Sequence, residues 1–143
     1  MADATTGSIV IDANAEAVAR VLADIAHYPS WTNGMSDIEI LEIDGDRPLR
    51  ARFSVSGGPI QDRVELVYTW TDADVSWTLA HGSAITGMTG RYAWQALGDR
   101  TQVTYELEIS LAMSLPSFIK RAAEKTIVST ALEGLKKRVE AQS

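Results

Sequence analysis

The sequence lacks cysteine throughout its 143 residues, which excludes a disulfide framework, a thiolate nucleophile and a Cys-ligated metal site. It also lacks any apolar run close to the roughly 20 residues that a membrane span requires, so we expect no stable membrane insertion. The first residues, MADATTGSIVIDANA, have neither a basic start nor an apolar core and predict no signal peptide. Together these absences predict a soluble, cytoplasmic protein.

Positive charge is also scarce, because 13 Lys and Arg stand against 19 Asp and Glu, for a formal net charge of −6. Such an acidic chain argues against nucleic acid as a partner. The cations gather from Pro116 onward. They form either a surface for acidic partners or lipid headgroups, or the usual excess of cations near a helix C-terminus, which we prefer for Lys136, Lys137 and Arg138.

Catalytic signatures are missing too. The sequence has no Walker loop, no G-x-S-x-G and no H-E-x-x-H, so we assign no catalytic residue and expect no metal and no cofactor. Only two histidines occur. His81 shares a predicted strand face with Trp77 and Leu79, where it is either a pocket acid or base or, as we prefer, a solvated residue at a frayed strand end.

What is present is the pattern of one α+β domain over residues 1–143. A short strand (7–11) precedes a helix (15–26), which Pro29 ends. Strands follow at 37–43 and, with clear alternation, in the ranges 49–56, 62–70, 75–82, 87–97 and 101–113. This alternation predicts an antiparallel meander with one solvated face and one apolar face. The apolar face carries the rings of Phe53, Tyr68, Trp70, Trp77, Tyr92, Trp94 and Tyr105.

A last helix is predicted from residue 116 to about residue 141, and its middle is rich in small residues such as Ala122 and Thr126. A small-sided helix against bulky rings either lies very close to the sheet or leaves an apolar cavity there. The pattern alone leaves both open, since the rings can also fill the gap. If a cavity exists, Trp at position 122 or 126 should block ligand uptake.

Four segments carry a resemblance to a known family: IVIDANAEAVARVLADIAHYPSW, VSWTLAHG leading into MTGRYAWQAL, LGDRTQVTYELEISL, and LPSFIKRAAEKTIVSTALEGLKKRVE. Their order and spacing resemble the START-like (helix-grip, SRPBCC) superfamily, and most closely its polyketide cyclase/dehydrase and lipid-transport family. Asn14 stands where that family often has proline. The resemblance implies a curved antiparallel sheet of about seven strands wrapped around the C-terminal helix, with short helices between the first two strands.

The resemblance also implies a deep hydrophobic pocket between sheet and last helix, and hence binding of a lipid, fatty acyl, polyketide or isoprenoid type of small molecule. Tyr28 and Trp31 should tuck under the first helix, and Trp31 with Met35 could line or gate the pocket. The expected ligand-binding set is Trp31, Met35, Phe53, Tyr68, Trp70, Trp77, His81, Tyr92, Trp94, Tyr105, Leu107, Ile109, Phe118, Ala122 and Thr126. The oligomeric state stays open.

Two other function classes remain open. The first is a polyketide cyclase or dehydratase that uses the same pocket, with tyrosine hydroxyls or His81 handling protons, since Arg52 and Arg91 fall on the outer face by alternation. The second is a protein-interaction module, which other branches of the superfamily exemplify. A pocket with polar groups in reach of a ligand favours the enzyme, whereas an exposed apolar patch without a cavity favours the interaction module.

Overall fold

The computed structural model describes residues 4–57 and 60–142. Its elements, in chain order, are β1 (Thr5–Ile11), α1 (Ala15–Ala23), a 3₁₀ helix (Ile25–Ser30), β2 (Met35–Asp44), β3 (Arg47–Gly57), β4 (Ile60–Trp70), β5 (Asp74–His81), β6 (Ile85–Leu97), β7 (Arg100–Leu111) and α2 (Ser117–Gln142). The strands form one antiparallel sheet in the order β1-β7-β6-β5-β4-β3-β2. The predicted α+β helix-grip fold is thereby confirmed.

The first helix is shorter than predicted. Asn14 caps it by accepting a hydrogen bond from the Ala17 backbone N–H at 2.9 Å. The helix ends at Ala23, three residues before the predicted end, and the chain continues as the 3₁₀ helix that contains Pro29. The Tyr28 hydroxyl donates to the Leu22 carbonyl at 2.6 Å, so a side chain satisfies a backbone acceptor at the helix end.

Two tight turns depend on glycine. Gly45 joins β2 to β3 with φ 63°, and Gly98 joins β6 to β7 with φ 67°. Both angles lie in the left-handed region, where a Cβ would be strained. These turns set the registers of the two hairpins, of which β6–β7 pairs Tyr92 with Tyr105.

Helix α2 lies over one side of the sheet, against β1 and β7. Its buried side consists of Glu124, Val128, Ala131, Leu132, Leu135 and Val139. The close approach of α2 to β1 requires Gly7, because a Cβ at that position would lie 2.8 Å from Val128 Cγ1. The inner faces of β3 to β6 are therefore less closely covered by the helix.

The buried carboxylate of Glu124 connects α2 to the sheet. It accepts hydrogen bonds from the Thr5 hydroxyl and from the Ile109 backbone N–H, both at 2.9 Å. Lys120 Nζ donates to the Ile109 carbonyl at 2.8 Å. The β1–β7 pairing begins with Thr5 opposite Leu107. Beyond this point Ile109 of β7 has no β1 partner among the described residues, and these two helix side chains bond to its backbone instead.

No helix in the described ranges combines the length and the apolar character that crossing a membrane requires.

Candidate ligand-binding site

A cavity of about 110 Å³ lies between the inner face of the sheet and the middle of α2. Its walls come from the 3₁₀ helix, the segment 32–35, strands β3 to β7, and Ile127 and Ala131 of α2. The inner faces of the central strands, which the helix covers less closely, therefore enclose space. The rings fill part of the gap and leave the rest open.

Many of the side chains that the sequence predicts at the site come together around this cavity. They are Met35, Phe53, Tyr68, Trp77, Tyr92, Tyr105, Leu107 and Ile109. All eight lie on strands. Met35 is the first residue of β2, and the other seven stand at positions that alternation directs to the inner face. Their part in ligand binding stays a prediction.

The cavity wall contains a packed aromatic cluster centred on Trp77. Its ring centroid lies 6.1 Å from that of Tyr68, 5.5 Å from Tyr92 and 5.8 Å from Tyr105, within the range of favourable ring pairs. The indole lies over Gly90 of the neighbouring strand, where a Cβ would be only 2.2 Å from two ring carbons. The absence of a side chain at Gly90 therefore leaves the space that the Trp77 ring occupies.

The tyrosine hydroxyls at the cavity are neutral hydrogen-bond donors. Burial raises the pKa of Tyr68, Tyr92 and Tyr105 far above the ordinary value near 10. Burial likewise raises the pKa of Tyr28, whose hydroxyl donates its hydrogen bond to the Leu22 carbonyl. Within residues 4–57 and 60–142 the Tyr68 hydroxyl makes no hydrogen bond, whereas those of Tyr92 and Tyr105 bond to each other, so Tyr68 is the donor most available to a ligand.

The mouth of the cavity is marked by its exposed lining residues, Asn33 and Ser56. Gly34, with φ 90°, brings the two together, because the Ser56 backbone N–H donates to the Gly34 carbonyl at 2.8 Å. Ile127 of α2 stands across from them, and a Cβ on Gly57 would lie 3.5 Å from its Cδ1. No charged side chain from the described ranges lines the cavity, which makes it an apolar and aromatic site.

His81 does not point into the cavity. In the register of β4 with β5, Leu66 pairs with Leu79 but Glu65 pairs with His81, so Ala80 is an extra residue. This β-bulge reverses the alternation and places His81 on the outer face beside Glu65. Glu65 is buried there between Arg50 and Arg52, whose hydrogen bonds hold its pKa below the ordinary value.

The prediction for the last helix was wrong in its phase. Phe118 is 72% exposed, and Ala122 and Thr126 are also exposed. The helix turns Ile127 and Ala131 to the cavity instead. Small residues suit an exposed helix face as well as a close contact, so their size alone could not orient the helix.

Three tryptophans lie outside the cavity. Trp70 is half-buried near the β2–β3 hairpin, and its Nε1 donates to the Pro48 carbonyl at 2.7 Å. Trp94 is buried in the core opposite Val103, further along β6. Trp31 packs its ring 4.7 Å from that of Tyr28, but only Tyr28 lines the cavity. The cavity-lining position expected of Trp31 is therefore taken by Tyr28, which also bonds to the first helix as expected.

Several lining residues were missed by the sequence analysis: Tyr28, Thr32, Asn33, Gly34, Val55, Ser56, Gly57, Ile60, Leu66, Ile85, Met88, Ile127 and Ala131. Leu66 and Val55 could have been found, since they alternate with Tyr68 and Phe53 on the same strand faces. The i, i+4 spacing of Ile127 and Ala131 was a second available signal.

The sequence profile of a family described as polyketide cyclase/dehydrase and lipid transport matches residues 3–140. A solved START superfamily protein from Mycobacterium smegmatis superimposes with a TM-score of 0.89 at 19% identity, covering 99% of this chain and 100% of that one. The Zhui aromatase/cyclase from Streptomyces sp. R1128 gives a TM-score of 0.76 at 18% identity, with 97% and 94% covered. Identities this low establish the fold alone.

A third solved structure, a protein from Thermus thermophilus, gives a TM-score of 0.82 at 20% identity, with 98% of this chain and 99% of that one covered. No curated protein sequence matches this chain significantly.

Proposed function

Since the chain belongs to the polyketide cyclase/dehydrase and lipid transport family, we propose that it binds a hydrophobic or amphipathic small molecule in the cavity between the sheet and α2. The observation that carries this proposal is the wall itself. It is apolar and aromatic, it is free of charged side chains within the described ranges, and it opens at Asn33 and Ser56. Apolar burial, at about 25 cal/mol per Å² before ordering costs, would supply most of the affinity.

The volume of the cavity limits the size of the ligand that can enter it. The cavity of about 110 Å³ is below the roughly 150 Å³ of an engineered cavity that holds benzene, and below the roughly 300–1,000 Å³ of drug-sized sites. It accepts one end of a fatty acyl, polyketide or isoprenoid chain, while the remainder extends through the mouth. Met35 and Met88, both half-buried in the wall, are the flexible side chains whose movement would enlarge it.

The buried end of the ligand would carry an acceptor. The Tyr68 hydroxyl is protonated and makes no hydrogen bond within the described residues, so a ligand carbonyl or hydroxyl would gain a partner there. A purely aliphatic end would leave that donor unpaired in an apolar wall, which is unfavourable. We therefore favour an oxygen-bearing ligand over a plain hydrocarbon.

The test uses two neighbouring positions on α2. Ile127→Trp places an indole in the mouth, whereas Thr126→Trp places the same side chain on the exposed helix face. With a fluorescent fatty acid as the probe, we expect wild-type protein and Thr126→Trp to bind with similar affinity. Ile127→Trp should bind at least tenfold more weakly while keeping the wild-type circular dichroism spectrum.

Two results would overturn this proposal. One is the absence of wild-type binding at tens of micromolar probe, together with no co-purified apolar molecule in native mass spectrometry. The other is wild-type affinity in a folded Ile127→Trp variant, which would place the bound probe elsewhere.

A second candidate function, cyclisation or dehydration of a polyketide-like chain, is favoured by one observation. Tyr68, Tyr92 and Tyr105 lie around one wall and stay protonated, so their hydroxyls could stabilise negative charge on a carbonyl oxygen as an enolate forms. Tyr68→Phe should then slow turnover of an enolisable poly-β-keto thioester by a much larger factor than it weakens fatty-acid binding. Wild-type protein that gives no acceleration over buffer would exclude this candidate.

A further inference from the structure

A second, larger hollow lies on the other side of the Tyr28–Trp31 ring pair. It is a cleft of about 440 Å³ between α1, the 3₁₀ helix, the β2–β3 hairpin and the C-terminal end of α2. Trp31 lines this cleft and Tyr28 lines the cavity, and the two share no lining residue. Its volume falls within the range of small-molecule sites, which the cavity does not reach.

The floor of the cleft is apolar. Val21 and Ile25 are buried beneath it, and Trp31 and Ile40 are half-buried in its walls. Ile43 stands on the rim with 56% of its surface exposed. The apolar part of a ligand bound here would cover the exposed Ile43 side chain. Apolar contact is therefore available without any rearrangement of the core.

The charged side chains around the cleft differ in their hydrogen-bond and ion-pair partners. The Asp24 carboxylate is hydrogen-bonded to His27 at 2.7 Å. Among the described residues Arg20 pairs with Glu16 alone, at 3.6 Å and with both side chains more than two-thirds exposed. Asp46 lies on the exposed hairpin turn.

Arg138 differs from these groups. It is half-buried in the wall, and within residues 4–57 and 60–142 it has neither an ion pair nor a hydrogen bond. A guanidinium carries five donors in a planar fork that suits a carboxylate. The Arg138 guanidinium, unpaired within the described ranges, therefore favours a ligand with an anionic hydrogen-bond acceptor, beside the apolar floor of the cleft.

We propose that this cleft is a second binding site, separate from the cavity, for a small aromatic or apolar carboxylate whose carboxylate pairs with Arg138 and whose body covers Val21, Ile25 and Trp31. A site of this kind is independent of the proposed function, because it shares no residue with the cavity. It would let a small acid and a hydrophobic ligand occupy the protein together.

The test uses 2-naphthoate as the probe and calorimetry as the measurement. Arg138→Gln should weaken binding at least tenfold, whereas Lys137→Gln, which changes the neighbouring exposed cation outside the cleft, should change it less than twofold. Ala26→Trp, at an exposed position in the cleft wall, should abolish binding by occupying the space. The neutral isostere 2-naphthylmethanol should bind at least tenfold more weakly than 2-naphthoate.

Separate readouts distinguish the two sites. Ile127→Trp, which closes the cavity mouth, should leave 2-naphthoate affinity unchanged, and the Trp31 indole N–H resonance should move on titration. Wild-type affinity in Arg138→Gln, or loss of binding in Ile127→Trp, would overturn the second site. So would a concentration-dependent dimer that Ala26→Trp abolishes, since a second copy of the chain would then cover the cleft.

Discussion

Replacing Gly90 with alanine tests how the aromatic cluster is held. Gly90 pairs with Trp77 across β5 and β6, and a Cβ there would lie 2.2 Å from indole Cε2 and Cζ2. Gly90 does not have a positive φ, so alanine fits the backbone and only the contact with the ring changes. Carbon atoms in contact need about 3.5–4.0 Å, and the indole must therefore move by more than about 1 Å.

The magnitude follows from this displacement. The ring can move only into the cavity or against its tyrosine neighbours, and such overpacking costs about 1–3 kcal/mol. Alanine returns about 0.4–1 kcal/mol by restricting the unfolded chain. We expect a net loss of about 1–2 kcal/mol in the free energy of unfolding, or about 3–7 °C in Tm for a domain of this size.

The assay is calorimetric unfolding combined with near-ultraviolet circular dichroism, which reports the packing of Trp77. Gly87→Ala is the matched control in the same strand, because its Cβ would lie 3.4 Å from the nearest atoms of Ser110. It should stay within about 0.5 kcal/mol of wild type. If Gly90→Ala instead keeps the wild-type Tm and the wild-type aromatic spectrum, the indole does not lie over Gly90 and the reasoning fails.

Three further predictions concern polar groups that are buried or half-buried. Glu124→Leu leaves the Ile109 N–H without its acceptor and should destabilise by about 1–3 kcal/mol in urea denaturation, more than Glu124→Gln, which can still accept. Burial raises the tyrosine pKa values, so the unfolded chain loses its tyrosine protons first. The tyrosine contribution to the free energy of unfolding should then be constant up to about pH 10 and fall above it, less steeply in Tyr68→Phe. Burial raises the pKa of Asp62, but hydrogen bonds from backbone N–H groups, Ile85 first, outweigh it and lower the pKa below its usual value. The contribution of Asp62 to the free energy of unfolding is therefore present above about pH 4 and lost below it. Asp62→Ala should make the free energy of unfolding depend less on pH in this acid range.

The strands were the part of the fold that the sequence predicted best. Alternation along β4, β6 and β7 placed Tyr68, Tyr92 and Tyr105 on the inner face, and the structure brings them together. Alternation succeeds because strand side chains have a strict period of two. It fails at His81, where the single extra residue at Ala80 reverses the faces and no turn residue marks the bulge.

The candidate site was predicted less well on its helical side. Trp31 and Tyr28 are three residues apart and both aromatic, yet one lines the cleft and the other the cavity. Their separation depends on where α2 lies, and that depends on contacts distant in sequence. Gly134 is such a contact, because a Cβ there would lie only 1.7 Å from the Trp31 carbonyl oxygen. No local pattern around Trp31 contains this information.

The place of β1 in the sheet has a consequence for the order of folding. Each pair from β2–β3 to β6–β7 joins neighbours in the chain. Among the described strands β1 pairs with β7 alone, and Ile11 meets Thr101 across about 90 residues of intervening chain. Closing so long a loop costs more conformational entropy than forming a hairpin. We therefore expect the meander to form first and β1 to dock last. Amides of β1 should then exchange with deuterium sooner than those of β6, through partial opening at that edge.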